Sequence, residues 1–141
     1  MASFNKFNCF VADICNGLHA FGRGNPCYIY LTNTLPVATN TVYNTPADLS
    51  TTGGYTAGGN VCNTTSSTQS SGTYKLVLAS PATWTGTSGG FGPFEYCVLY
   101  DATTGTKALI GWWSYGSSIS VNAGDTFAIT LDGTNGVLQI T

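Results

Sequence analysis

Apolar residues recur along this chain at two periods, and the change between them falls at Pro26. Phe4, Phe7, Val11, Ile14, Leu18 and Phe21 step by three and four, the spacing that gathers side chains on one stripe of an α-helix. Ser3 stands where an N-cap belongs, and "GRGNP" (22–26) supplies the Gly and Pro that end helices. One amphipathic helix over 3–21 is predicted. Its stripe is shorter than the three to four heptads, roughly, that a coiled coil needs to stand alone, so it must pack on something. Two coverings are open: the domain's own sheet, or a subunit interface made with copies of itself or with another protein.

After Pro26 the period drops to two. "CYIYLTN" (27–33) reads as a strand, and a long Thr/Gly/Asn-rich connection follows over 34–60, with one short helical turn at "PADLS". "TYKLVLA" (73–79) alternates, and "ATWTG" (82–86) is a short strand. "FEYCVLYD" (94–101) and "KALIGWWSY" (107–115) are joined by "ATTGT", a Gly-containing loop of hairpin length. "SISV" (118–121), "TFAITLD" (126–132) and "VLQIT" (137–141) follow, separated by the turns "NAGD" and "GTNG". Short strands with Gly/Asn/Asp turns predict a mainly β fold, an antiparallel β-sandwich or jelly-roll-like domain over 27–141 with the N-terminal helix attached. Residues 1–141 form a single domain on this reading. The alternation proposes Tyr28, Tyr30, Leu76, Leu78, Phe94, Tyr96, Val98, Phe127, Ile129 and Leu138 as core. Along "FEYCVLY" it puts Phe94, Tyr96, Val98 and Tyr100 on one face, with Glu95, Cys97 and Leu99 on the other.

Composition narrows the class. Charged residues make up 7% of the chain, against about 25% in an average soluble domain. The deficit is filled by Gly, Thr, Ser and Asn, and the hydrophobic share of 43% is high enough to argue against disorder. A net charge of −2 gives no electrostatic footprint for nucleic acid or for an anionic membrane. The start of the chain lacks the basic region and unbroken apolar stretch of a secretory signal, so synthesis and folding in the cytosol are expected. Nor is there a run of about 20 apolar residues. Cys9, Cys15, Cys27, Cys62 and Cys97 are odd in number, irregularly spaced and without CxxC, which predicts reduced thiols rather than a disulfide framework.

Catalytic chemistry finds little to stand on. Glu95 and Asp101 would lie about 20 Å apart along one strand at about 3.3 Å per residue, too far for the roughly 5 to 9.5 Å of a glycosidase pair. Asp101 is assigned to the hairpin turn, accepting from its backbone N–H groups, and Glu95 to a cross-strand ion pair with Lys75 or Lys107. His19 follows Cys15 by four residues, half of a metal site. Cys9 falls on another helical face and no second Cys/His pair follows, so a helix-surface histidine is expected, with no metal. Cys15 with His19 lacks the orienting third group of a nucleophilic dyad. "GGFG" and "GGYTAGG" carry no phosphate-loop signature. No catalytic residue, cofactor or metal ligand is assigned, and the chain reads as a non-enzyme. The best binding candidate is "GWWSYG" (111–116): Trp112 and Trp113 point to opposite faces, one into the core and one outward. Trp112, Trp113 and Tyr115 join the helical stripe as the candidate interface.

The order "FNKFNCFV…H", "YIYLTNTLPVATNTV", "GYTAGGN", "YKLVLASPATWT", "GGFGPFEYCVLYD", "LIGWWSYGSSISVNAGDTFAITLD" and "NGVLQIT" resembles a group of small tailed-bacteriophage virion proteins over nearly the whole chain. The sequence departs from that group's pattern at Glu95, where a basic residue is expected, and in its cysteines. The resemblance implies a virion structural protein, a capsid decoration (cement) protein on the head surface, made in the host bacterial cytoplasm. Its partners would be copies of itself, as a homotrimer, and the phage major capsid protein. The alternative is a tail or fibre module that binds a host-surface glycan through exposed aromatics such as Trp84, Trp112 or Tyr115.

Overall fold

A computed structural model describes residues 2–141, the Arg23 side chain excepted. In chain order it holds β1 (Asn5–Lys6), α1 (Cys9–Cys15), a single 3-10 turn (Phe21–Arg23), β2 (Cys27–Thr32), β3 (Asn60–Cys62), β4 (Thr64–Ser70), β5 (Thr73–Leu78), β6 (Trp84–Thr85), β7 (Phe91–Asp101), β8 (Leu109–Val121), β9 (Thr126–Phe127) and β10 (Leu138–Ile140). The fold is mainly β and its sheets are antiparallel. Five strands run in the order β1-β8-β7-β2-β3, three in the order β10-β5-β4, and β6 pairs with β9. No helix among the described residues is long and apolar enough to cross a membrane.

The centre is β7 between β2 and β8. Ile29 stands opposite Leu99 and Leu31 opposite Cys97 on one face; Tyr30 opposite Val98 and Tyr28 opposite Tyr100 on the other. The first face meets Leu76 and Leu78 of β5, together with Phe10, Phe21, Trp84 and Phe94, in the larger core cluster. Phe7, Tyr30, Val98, Tyr100 and Leu109 form a second cluster behind it. Both faces of the sheet are therefore covered, which is why "CVLY" is apolar at every position instead of alternating.

The alternation misplaces Phe94. Irregularities in the β7–β8 ladder between Phe91 and Phe94, and again between Phe94 and Tyr96, turn Phe94 to the Cys97/Leu99 face. A bulge costs the strand one residue of register, and every side chain beyond it changes side.

The helix is shorter than its stripe predicts. It spans Cys9–Cys15 instead of 3–21, and the residues before it are extended, with Asn5 opposite Trp112 and Lys6 opposite Gly111 on β8. Periodicity alone would keep Phe4 and Phe7 helical, but pairing with an open strand edge satisfies the backbone at the same time as it buries both rings. Gly111 makes this possible, because a Cβ there would occupy the space of the Phe4 ring and the Asn5 carbonyl. At the other end Gly17, with φ 71, leaves the helical conformation.

Two further strands, β3 and β4, follow the long connection over 60–70, where no strand was expected. β4 is "TTSSTQS", whose polarity carries no hydrophobic period, and its pairing to β5 makes it a strand. "TFAITLD" fails the other way. Only Thr126 and Phe127 pair, with β6, and 128–132 continues with no ladder partner. The strands expected at 107–115 and 118–121 are one continuous β8. The connection over 33–59 is pinned by Asp48, whose carboxylate accepts the hydroxyls of Tyr43 and Tyr55 and the N–H of Gly58.

Candidate functional site

Where 128–132 leaves its ladder, a groove of about 670 Å³ opens between that segment and β8. Cys97, Trp113 and Tyr115 line it from the sheet, Phe127, Ile129 and Leu131 from the opposite wall, and Ala2, Ser3 and Phe4 at one end. Its floor is aromatic: Phe4 tilts against Trp113 at 5.0 Å and Tyr115 meets Phe127 edge-on at 6.3 Å. Tyr115 is 59% exposed. β1 pairs with the outer edge of β8 at Gly111 and Trp112, and among the described residues no strand pairs with that edge beyond Trp112. There it borders the groove as an open strand edge, the feature that recruits further strands. Among the described residues, Asp132 is the only charged one lining it.

The predicted interface residues divide between core and surface. Phe7 and Phe21 are fully buried in the chain's own clusters, and Phe4 and Ile14 pack against the larger one. The stripe thus covers the domain's own sheet in large part. Val11 and Leu18 remain outside, 49% and 41% exposed. Trp112 and Trp113 do point to opposite faces, as the alternation requires, but both are half-buried: Trp112 lies on Phe7 at 4.5 Å and Trp113 on Phe4. Trp84, a glycan-stacking candidate from sequence, is 2% exposed and packs on Tyr55 and Phe127, so it presents no face to a ligand. Leu35, Val37 and Val42 form a second exposed apolar set on the 34–44 loop, a feature absent from the sequence expectations because the segment reads as polar overall.

His19 departs furthest from expectation. It lies beyond the helix, its side chain is fully buried, and its Nδ1 sits 3.0 Å from Asp101 Oδ2. With a carboxylate as acceptor, Nδ1 carries the proton and donates. The ring stacks on Phe21 at 5.1 Å, and Nε2 finds no partner among the described residues. Asp101 Oδ1 also accepts from the Thr103 N–H at 2.9 Å and the Thr103 hydroxyl at 2.6 Å, the turn-capping role expected of it. Burial works to raise the Asp101 carboxyl, but the hydrogen bonds from His19 and Thr103 outweigh it and hold it below the usual carboxylate value.

Asp101 belongs to a row that crosses three strands. Cys62 of β3 stands directly opposite Cys27 of β2, which stands opposite Asp101 of β7. Burial, then the Asp101 carboxylate and Cys62, push the Cys27 thiol far up, and burial pushes Cys62 up to about 12. Neither is a thiolate near neutrality, so this Cys–His–Asp neighbourhood has no activated nucleophile. Among the described residues no cluster of three or more His, Cys, Asp or Glu side chains is placed to hold a metal. Glu95, expected to pair with a lysine, instead accepts from the Ser114 hydroxyl at 3.0 Å, while Lys107 lies over the Tyr43 ring at 5.0 Å.

No protein-family model, no curated protein and no solved structure matches the chain.

Proposed function

We propose that the chain is a non-enzymatic structural protein of tailed-bacteriophage virions, a decoration (cement) protein that binds the head shell as a homo-oligomer, most simply a trimer. The observation that carries the reading is the groove beside β8. It is an apolar trough with an open strand edge, one exposed tyrosine and almost no charge, a surface suited to another protein chain rather than to a polar metabolite. The low charge content leaves little electrostatic resistance to self-association. A cyclic assembly could seat on three-fold positions of a shell with identical contacts. Leu76 and Leu78 from the three-stranded sheet share a core with Ile29, Leu31 and Leu99 from the five-stranded one, which favours a sandwich or jelly-roll arrangement of the kind the resemblance implies.

Light scattering on the purified protein, joined to binding on capsids that lack it, tests the proposal. Val11 and Tyr115 are the residues to change, because both are exposed and their replacement by Asp leaves the core intact; Ile14 packs on the core and would confound the result. The expected outcome is an oligomer that binds capsids, with V11D/Y115D monomeric and unbound. A monodisperse monomer that ignores capsids and binds a host glycan would replace this reading with a tail or fibre receptor-binding module.

A further inference from the structure

We infer that Cys27 and Cys62 are an oxidisable pair, a cross-strand disulfide that closes when the folded protein meets a small-molecule disulfide.

The geometry comes from the register. The two residues are direct partners in the antiparallel β2–β3 ladder, and directly opposed residues have Cα atoms about 4.5 to 5.5 Å apart with their side chains on the same face. Disulfides span Cα separations of about 4.4 to 6.8 Å. Both thiols are fully buried in the same cluster, and the ladder register makes each the other's cross-strand neighbour. The remaining cysteines have no such partner. Cys97 stands between Leu31 and Trp113, Cys9 directs its thiol at backbone carbonyls, and Cys15 is exposed.

The order of events follows from position. β3 is a three-residue edge strand, so Cys62 is the thiol that local opening uncovers, while Cys27 sits inside the sheet beside the Asp101 carboxylate. Cys62 Sγ attacks the small-molecule disulfide, breaking its S–S bond and releasing one thiol. Cys27 Sγ then displaces the second thiol as strand β3 closes. One S–S bond is lost and one formed, two electrons pass to the oxidant, and the two protein thiol protons leave with its two thiol products. Because burial holds both thiols in the protonated form, exchange is slow and proceeds through the opened edge. The bridge encloses the entire 33–59 connection, and closing a loop of that length restricts the unfolded chain.

The test uses the full chain with Cys9→Ser and Cys15→Ser, which leaves Cys27, Cys62 and Cys97. Folded protein is held with oxidised glutathione at mildly alkaline pH, quenched in acid, denatured, and read by thiol titration and intact mass. The expected result is one free thiol, a mass lower by two hydrogens, a Cys27–Cys62 cross-linked peptide, and a melting temperature raised by roughly 5 to 10 °C that reductant reverses. Adding Cys27→Ala must abolish the mass loss and leave glutathione on Cys62. Three free thiols, or a lasting glutathione adduct on Cys62 with Cys27 unreacted, would overturn the inference. The wild-type-Cys27 measurement decides even if the alanine variant folds poorly.

Discussion

β7 and the segment 126–132 carry similar patterns and come to opposite ends. Each carries large apolar residues at every second position, Phe94 to Tyr100 in one and Phe127 to Leu131 in the other. β7 is apolar between them as well, at Cys97 and Leu99, and each segment runs into a Gly-containing turn. β7 lies between β2 and β8, paired along both edges, with Cys97, Val98, Leu99 and Tyr100 all buried. The later segment pairs over two residues only, and its Phe127, Ile129 and Leu131 are half-buried over an open groove. Alternation specifies that a chain is extended and which side is apolar. Whether it becomes a locked strand depends on the neighbours the topology provides on each edge.

The largest effect expected from breaking this contrast is at the end of β7. Asp101→Ala strips the buried His19 of its acceptor and Thr103 of its cap, and should cost about 2 to 4 kcal/mol, because several donors lose their acceptor at once and one of them stays buried. Urea melts measure it. The same carboxylate sets a pH dependence. Its folded value is depressed, so its contribution is complete above the unfolded value of about 3.9 and is lost as pH falls through the lower, folded one. The gap in urea midpoint between wild type and Asp101→Asn should therefore narrow below about pH 4. A gap that widened on acidification would mean that the pair is not carried by an ionised Asp101.

Val98→Ala comes next. Val98 is fully buried in the smaller cluster, and its truncation should cost about 1 to 3 kcal/mol by lost burial and a cavity. Ile129→Ala sharpens the comparison, because a half-buried residue on an unladdered segment should lose only about 1 kcal/mol. Equal losses at the two positions would show the groove wall to be as firmly packed as the centre. The smallest effect on stability belongs to Tyr115→Ser, within about 0.5 kcal/mol. If the groove is an oligomer contact, sedimentation should show that this near-silent change weakens association, and unchanged sedimentation would assign the contact elsewhere.

Several features were legible from the residues alone. The mainly β class, the antiparallel β7–β8 hairpin, the turn role of Asp101 and the opposed tryptophans follow from side-chain period and turn chemistry, both local properties. The candidate site was only partly legible. Tyr115 is exposed and borders the groove, but the helical stripe proved to be two rings in the core, two residues packed against it and two left outside. Phe4 and Phe7 obey helical spacing and yet flank a strand, because an open edge of β8 with a glycine at position 111 satisfied their backbone better than another turn of helix.

What the sequence by itself determined is the inventory: extended segments, apolar sides, turns, a near-absence of charge, and thiols without a motif. Only the tertiary structure decided which of these meet. His19 is 82 positions from Asp101, and Cys27 and Cys62 are separated by a connection with no periodic pattern, so no local rule links either pair. Sheet order and register brought Cys62, Cys27 and Asp101 into one row and left 128–132 without a ladder partner. The physical reason is that register is a cooperative property of neighbouring strands, set by bulges and by which faces can be buried together, and a single segment carries no record of it.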